Sequence, residues 1–214
     1  MGRLAFLTAV YNEEAEILDL LKSVRPYVDT VVVSDDGSGD STVELAEMSG
    51  MADLVVTGPH LASCEETRIR GFQFITDTWI LILDADERID PAGMQKIRDS
   101  LDNLTLCGFT HVYFSQDEVI DSVLVRTFAK IKLARRDSLR LPTAIHDEIA
   151  CVGPSTNLGV RVLHRKTSAK QVMREAEYLE AYERKIDEGK MTRQRVDEVT
   201  GWHHFVRERN GSAG

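Results

Sequence analysis

Residues 79–87 read Trp-Ile-Leu-Ile-Leu-Asp-Ala-Asp-Glu, so five large apolar residues are followed at once by acidic ones. A short apolar run bounded by turn-forming residues predicts a fully buried β-strand. Side chains alternate along an extended chain, so the carboxylates of Asp84 and Asp86 can converge on one cation. Mg²⁺ and Mn²⁺ prefer such oxygen ligands. The alternative is a solvated turn in which Asp86 or Asp90 caps the next helix.

Apolar runs and helical patterns alternate on both sides of this stretch. Strands are predicted at 4–10, 30–34 and 54–57, and helices at 12–24, 41–50, 71–76 and from 90 onward. Asn12 is expected to cap the first of these helices. This alternation predicts an α/β domain with a mostly parallel central sheet flanked by helices. Ligands bind beyond the carboxyl ends of the strands in such sheets.

Two further polar segments belong to the same predicted cleft. Asp35-Asp36 follows the second strand, and either carboxylate could bind a nucleotide base or ribose, although Asp, Gly and Ser are also ordinary turn residues. The following Gly37-Ser38-Gly39 resembles part of a dinucleotide phosphate loop, but Thr42 replaces its third glycine. Arg68 and Arg70 precede the fourth strand. Their guanidinium groups could bind a diphosphate, or they could be ordinary surface residues.

The pattern changes after residue 104. Strands are predicted at 108–115 and 123–133 with no long helix between them, which indicates a mixed or antiparallel segment. An amphipathic helix is predicted at 169–188 and a second, polar helix at 192–207. The expected organisation is one domain over residues 1–168, with halves at 1–103 and 104–168, followed by a helical extension over 169–214.

Histidines and acids in the second half supply further candidates. His146, Asp147 and Glu148 lie between apolar residues and could provide a general base or a third metal ligand, or form a polar turn. His164 follows an apolar run and is interpreted as structural. The adjacent His203 and His204 point in different directions on a helix, which also favours a structural role.

Composition restricts the class of protein. The formal net charge of the 214 residues is -9, which argues against general affinity for nucleic-acid backbone. The three cysteines have no CxxC spacing, so neither a disulfide framework nor a zinc knuckle is predicted. No apolar run approaches the roughly 20 residues of a membrane span. A soluble, cytoplasmic protein is expected, one that would dock peripherally at the inner membrane face if its acceptor were lipid-linked.

Four segments together resemble glycosyltransferase family 2 of the GT-A fold, in order and at similar spacing. They are residues 7–14 (LTAVYNEE), 31–42 (VVVSDDGSGDST), 67–68 (TR) and 79–87 (WILILDADE). The resemblance implies a nucleotide-diphospho-sugar donor, in particular a UDP-sugar, and transfer with inversion at the anomeric carbon. One departure is Ile69, where the family often has Asn.

The resemblance also implies roles for matching residues. Donor-binding positions would be Thr8, Tyr11, Asn12, Glu14, Asp35, Asp36, Arg68, Asp84 and Ala85, and metal ligands Asp86, Asp84 and His146. Tyr11 would stack on the base, and Arg68 would lie near the donor phosphates. Asp86 would bind Mn²⁺ or Mg²⁺ and, through it, the diphosphate.

Residues 145–149 (IHDEI) resemble a His-Glu segment of the lipopolysaccharide-core glucosyltransferase-like subset, with Asp147 where Glu is usual. This resemblance makes Asp147 the first candidate for the catalytic base and Glu148 the second. The acceptor would be a glycan, a lipid-linked sugar or another hydroxyl compound. The competing hypotheses are a sugar nucleotidyltransferase, which makes the activated sugar, and a non-catalytic nucleotide-sugar-binding module.

Overall fold

The computed structural model describes residues 2–142, 149–170, 182–184 and 186–189. The strands are β1 Leu4–Val10, β2 Thr30–Asp35, β3 Leu54–Thr57, β4 Trp79–Ile82, β5 Glu87–Arg88, β6 His111–Ile120, β7 Val123–Arg135, β8 Leu139–Arg140, β9 Ala150–Cys151 and β10 Ser155–Lys166. The α-helices are α1 Ile17–Val24, α2 Thr42–Met48, α3 Cys64–Phe72 and α4 Pro91–Leu106, and a 3-10 turn covers Arg25–Tyr27.

Eight strands form one sheet in the order β3-β2-β1-β4-β7-β6-β10-β5. The first four are parallel to one another, as the alternation of strands and helices predicts. β7 then pairs antiparallel with both β4 and β6, β6 is parallel to β10, and β10 is antiparallel to β5. The predicted mixed second half is therefore confirmed. Strands β8 and β9 form a separate two-stranded sheet.

Both faces of the parallel half are covered. Alternation along β1 places Leu4 and Phe6 in one apolar cluster with residues of α1 and α4, and Ala5 and Leu7 in a second cluster with Phe72 of α3. Because helices cover both faces of these strands, side chains on both faces are buried, which explains why the strand sequences are almost entirely apolar. Gly71 lets α3 approach closely, because a Cβ there would lie 2.8 Å from Leu7 Cδ1.

Two predicted helix starts are wrong, and each has a local cause. Asn12 does not cap α1: its φ is 51°, and its side-chain oxygen accepts a hydrogen bond from Gly39 N instead. α1 begins at Ile17. α3 was expected at 71–76 but begins at Cys64, after Ser63, whose hydroxyl accepts from Glu66 N. The start of α4 agrees with prediction, since Asp90 accepts from Gly93 N ahead of Pro91.

The predicted C-terminal helices lie largely outside the described residues. The division at residue 168 therefore stays a prediction. Among the residues that the structure describes, no helix is long and apolar enough to cross a membrane.

One charged cluster links the three strands of the second half. Glu118 of β6 is almost buried, and its carboxylate pairs with Arg126 of β7 and, at 2.5 Å, with Lys166 Nζ of β10. Burial alone would raise the pKa of Glu118, but the two cations outweigh it and lower that pKa to about 2.

Glu118→Gln is expected to lower the free energy of unfolding by about 2–3 kcal/mol at pH 7. Because the carboxyl pKa is depressed in the folded state, this contribution is complete above pH 4.5, the ordinary Glu value, and disappears as the pH falls towards 2. Urea unfolding of both proteins between pH 7 and pH 3 measures the difference. Asp19→Asn removes a carboxylate from an exposed pair with Lys22 and should change stability by less than about 0.5 kcal/mol. A Glu118→Gln difference that does not shrink towards low pH would contradict this assignment.

Candidate active site

The cleft lies where the parallel strands β1, β2 and β4 end side by side. Tyr11 follows β1, Asp36 follows β2 and Asp84 follows β4 by two residues. The sheet register places these ends at one edge, since β1 is hydrogen-bonded to both β2 and β4. Arg68, from α3, joins them through its contact with Asp84. The predicted meeting of these segments at one sheet edge is therefore observed.

The carboxylates of Asp35 and Asp36 hold the loops of the cleft. Asp36 is buried and accepts hydrogen bonds from Leu61 N at 3.0 Å, Ala62 N at 3.0 Å and Thr67 Oγ1 at 2.8 Å. Asp35 accepts from the backbone nitrogens of the following turn, including Gly37 N at 2.9 Å. Both carboxylates thus hold the loops that follow β2 and precede α3.

Asn12 and Glu14 connect the loop after β1 to the loop after β2. Asn12 Oδ1 accepts from Gly39 N at 2.8 Å, and Glu14 Oε2 accepts from Ser41 N at 3.2 Å. Their side chains therefore set the spacing between the two loops. Ala85 is buried, and its carbonyl accepts from Arg88 Nη1 at 2.6 Å.

An aromatic stack occupies the end of β1. The ring of Tyr11 lies 4.0 Å from the ring of His60, centroid to centroid, with an interplanar angle of 19°. His60 Nδ1 also lies 2.9 Å from Asp36 Oδ2. Sequence reasoning did not select His60, which sits in a polar stretch with no periodic signal. Nearby Thr8 is fully buried, and its hydroxyl has no hydrogen-bond partner among the described residues.

Arg68 and Asp84 form an ion pair beneath the cleft. Burial opposes ionisation of Asp84, but the Arg68 guanidinium outweighs it and holds the pKa of that carboxyl well below its usual range. The pKa of Arg68 is likewise raised by Asp84 against the effect of burial. Arg68 Nε is buried without a partner in the part of the chain that the structure describes. This N–H is therefore an unsatisfied donor among the described residues.

Asp86 contacts His164, for which the sequence predicts a structural role. His164 Nε2 lies 3.1 Å from Asp86 Oδ1. Burial opposes ionisation of Asp86, but the hydrogen bond from His164 outweighs it and lowers the pKa of the carboxyl. The contact arises because β5 pairs antiparallel with β10, which places Glu87 opposite His164.

The arrangement offers two ligand atoms for a divalent cation. Asp84 and Asp86 turn to different cationic partners, and no group of three or more acidic, histidine or cysteine side chains with metal-site spacing occurs among the described residues. Asp86 and His164 nevertheless supply a carboxylate oxygen and an imidazole nitrogen, both of which Mn²⁺ accepts. Phosphate oxygens and water usually complete such a shell. The donor set thus fits a metal shared with a diphosphate.

A buried polar layer lies directly behind the acidic residues. Glu87 is fully buried, pairs with Lys132 of β7, and accepts from Asp84 N at 2.9 Å. On the other side of His164, Gln116 Nε2 lies 2.8 Å from His164 Nδ1. Lys132 and Gln116 were not selected from sequence.

The second half of the chain adds a cavity of about 270 Å³ beside β7. Its lining includes Tyr113, Lys130, Ile131, Ile149 and Cys151. The positive charge of Lys130 also contributes to the lowered pKa of Asp84.

The candidate bases Asp147 and Glu148, and the candidate ligand His146, lie outside the described residues. Their assignments rest on the sequence resemblance.

Comparison with known proteins identifies the family. The model of the family described as Glycosyl transferase family 2 matches residues 6–153. The chain belongs to this family.

Relatives of this family 2 chain are similar over limited segments. A TPR repeat-containing protein of Synechococcus elongatus is 34% identical over 105 residues, which are 49% of this chain and 26% of that protein. An uncharacterized glycosyltransferase of Rickettsia felis is 34% identical over 89 residues, 42% of this chain and 30% of the relative. The matches therefore span less than a third of these relatives' length.

A solved structure shares the architecture of the family 2 chain. Glucosyl-3-phosphoglycerate synthase from Mycobacterium tuberculosis, in complex with Mn²⁺, UDP and glucosyl-3-phosphoglycerate, superposes with a TM-score of 0.53 at 19% identity. The superposition covers 84% of this chain and 80% of that one. The likeness confirms the predicted GT-A-type α/β fold.

Proposed function

We propose that this chain transfers a sugar from a nucleotide-diphospho-sugar, in particular a UDP-sugar, to an acceptor hydroxyl with inversion. The observation that carries the proposal is that Asp86 contacts His164 close to the strand end that presents Tyr11, while Arg68 of α3 pairs with neighbouring Asp84, in a family 2 chain. One cleft then offers an aromatic face for a base, a guanidinium for phosphates and two ligand atoms for a metal.

The protein's contribution to donor binding follows from these contacts. The face of Tyr11 already accepts a flat ring in the form of His60, so it can accept a nucleotide base in the same way. Asp36 and Asp35 keep the neighbouring loops in place. Arg68 is fixed by Asp84, and its unpartnered Nε–H can donate to a phosphate oxygen.

Breaking the sugar–phosphate bond leaves negative charge on the diphosphate. Mn²⁺ or Mg²⁺ bound by Asp86 and His164 would supply Lewis-acid stabilisation of that charge. Arg68 adds positive charge that is positioned in advance, which lowers the reorganisation needed in the transition state.

The acceptor side completes the proposal. Asp147, or Glu148 as second candidate, takes the proton of the acceptor hydroxyl while its oxygen attacks the anomeric carbon from the face opposite the diphosphate. A single displacement of this kind inverts the configuration. The cavity lined by Lys130 and Tyr113, in the same half of the chain, is the candidate place for the acceptor. His146 is retained as a further candidate metal ligand.

Incubation with a panel of nucleotide sugars and Mn²⁺ is expected to release a nucleoside diphosphate, detected by mass spectrometry, and to stop after chelation of the metal. A UDP-sugar should give the fastest release. Matched reactions with nucleoside triphosphate and sugar phosphate serve as the control. Pyrophosphate release in that control would indicate a nucleotidyltransferase instead. Donor binding in calorimetry without either product would indicate a non-catalytic binding module.

A further inference from the structure

Gln116 touches the imidazole of His164 from inside the sheet. Gln116 lies on β6, is 1% exposed, and its Nε2 is 2.8 Å from His164 Nδ1. Its other polar atom, Oε1, is buried without a hydrogen-bond partner among the described residues. A buried amide oxygen without a partner costs stability.

The orientation of the Gln116 amide decides which ring nitrogen of His164 carries the proton. When the amide of Gln116 donates to Nδ1, that nitrogen must be the acceptor, and Nε2 carries the hydrogen. Nε2–H then donates to Asp86 Oδ1 at 3.1 Å. In this tautomer Nε2 has no free lone pair, so His164 cannot bind a cation beside Asp86.

A half-turn of the Gln116 amide reverses this arrangement. Oε1 then accepts from Nδ1–H and gains its missing partner, while the Nε2 lone pair of His164 faces Asp86. The imidazole loses one proton at Nε2 and gains one at Nδ1, so its charge does not change. Glu87 Oε1 lies 3.8 Å from His164 Nδ1 and is also buried without a partner in the described part of the chain. Its negative charge therefore also favours a hydrogen on Nδ1.

We propose that Gln116 is a positioning residue that selects the tautomer of His164 and so prepares it to bind the divalent cation with Asp86. The inference rests on the proposed function, because it concerns the metal of that site. Metal-bound histidines usually donate their other N–H to an oxygen acceptor, and loss of that acceptor typically weakens metal affinity about 10–100-fold.

Two substitutions at position 116 separate the acceptor role from simple packing. Gln116→Met keeps the length of the side chain but removes the acceptor, and it is expected to weaken Mn²⁺ binding about 10–100-fold. Gln116→Glu keeps an acceptor oxygen and cannot donate in its ionised form, so it is expected to retain Mn²⁺ affinity. Gln95→Met, on the exposed surface of α4, is the matched control and should leave that affinity unchanged.

Mn²⁺ affinity is measured by electron paramagnetic resonance of the free ion, with UDP at fixed concentration and a UDP-only blank. Nitrogen-15 NMR of the His164 ring supplies a readout independent of activity. In the metal-free wild type, the His164 ring should carry its hydrogen on Nε2. In metal-free Gln116→Glu, and in the wild type with Mg²⁺ and UDP, the ring should carry it on Nδ1. Thermal unfolding verifies that each variant is folded.

Unchanged Mn²⁺ affinity in Gln116→Met, or an Nε2-protonated ring in Gln116→Glu, would overturn the role of Gln116 while leaving the proposed function in place. Failure of the wild-type protein to bind Mn²⁺ even with UDP present would remove both the tautomer inference and the metal site. The two failures are therefore distinguishable.

Discussion

Asp86→Ala is expected to lower nucleoside diphosphate release about a thousandfold, because about 4 kcal/mol of metal-assisted charge stabilisation is lost and each 1.36 kcal/mol is tenfold in rate. Asp86 is the carboxylate whose oxygen lies beside His164 Nε2, so its removal takes the only carboxylate from the proposed Asp86–His164 pair of metal ligands. Steady-state product release at saturating donor and Mn²⁺ measures the effect.

The fold should survive this substitution, because the side chain of Asp86 contacts His164 at the cleft and belongs to neither apolar cluster. Thermal unfolding verifies that point. Asp99→Ala on α4 removes a carboxylate that accepts a hydrogen bond from the neighbouring Gln95 on an exposed helix face, and it serves as the activity control. Full turnover in Asp86→Ala would exclude the metal role assigned to Asp86.

The parallel half of the fold could be predicted because its signal is local. Each buried strand is a run of apolar residues, and each run is separated from the next by a segment that cannot continue a strand. Residues 54–57 were predicted as a strand and form β3. β4, predicted over 79–83, ends one residue earlier, at Ile82.

The start of α3 could not be predicted, because its buried face is polar. Thr67, Arg68 and Gly71 are among its buried residues, and its sequence CEETRIRGF has no apolar stripe of helical period. The prediction that Asn12 caps the first helix was wrong for a different reason. Its residue type suits a helix cap, but its side chain is used by a loop 27 residues away in sequence.

The residues of the candidate site also differ in whether local sequence or long-range strand pairing identifies them. Asp84 and Asp86 could be found because they follow one strand directly. His164, Gln116 and Lys132 enter only through strand pairing: β10 with β5, β6 with β10, and β7 with β4. The spacing of residues along one sequence does not reveal which strands pair. The sequence therefore predicts a structural role for His164, a lone histidine at a strand end.

Lys132→Met is expected to lower the free energy of unfolding by about 3–5 kcal/mol, because it leaves the Glu87 carboxylate buried without its countercharge. Glu87 is 0% exposed and Lys132 is 3% exposed. Burial lowers the pKa of Lys132, and the attraction to Glu87 opposes that shift. The pair therefore keeps both charges inside the protein. Urea unfolding at pH 7 measures the loss.

The double variant Lys132→Met with Glu87→Gln tests the cause, since it removes both buried charges. It should recover most of the lost stability, because a buried pair can often be replaced by uncharged groups at little cost. The amide oxygen introduced at position 87 can still accept the hydrogen bond from Asp84 N. Lys22→Met, at an exposed pair, is the control and should change stability by less than about 0.5 kcal/mol. A loss below about 1 kcal/mol in Lys132→Met would contradict the stabilising role assigned to this buried ion pair. The acidic loop would then be held by hydrogen bonding alone.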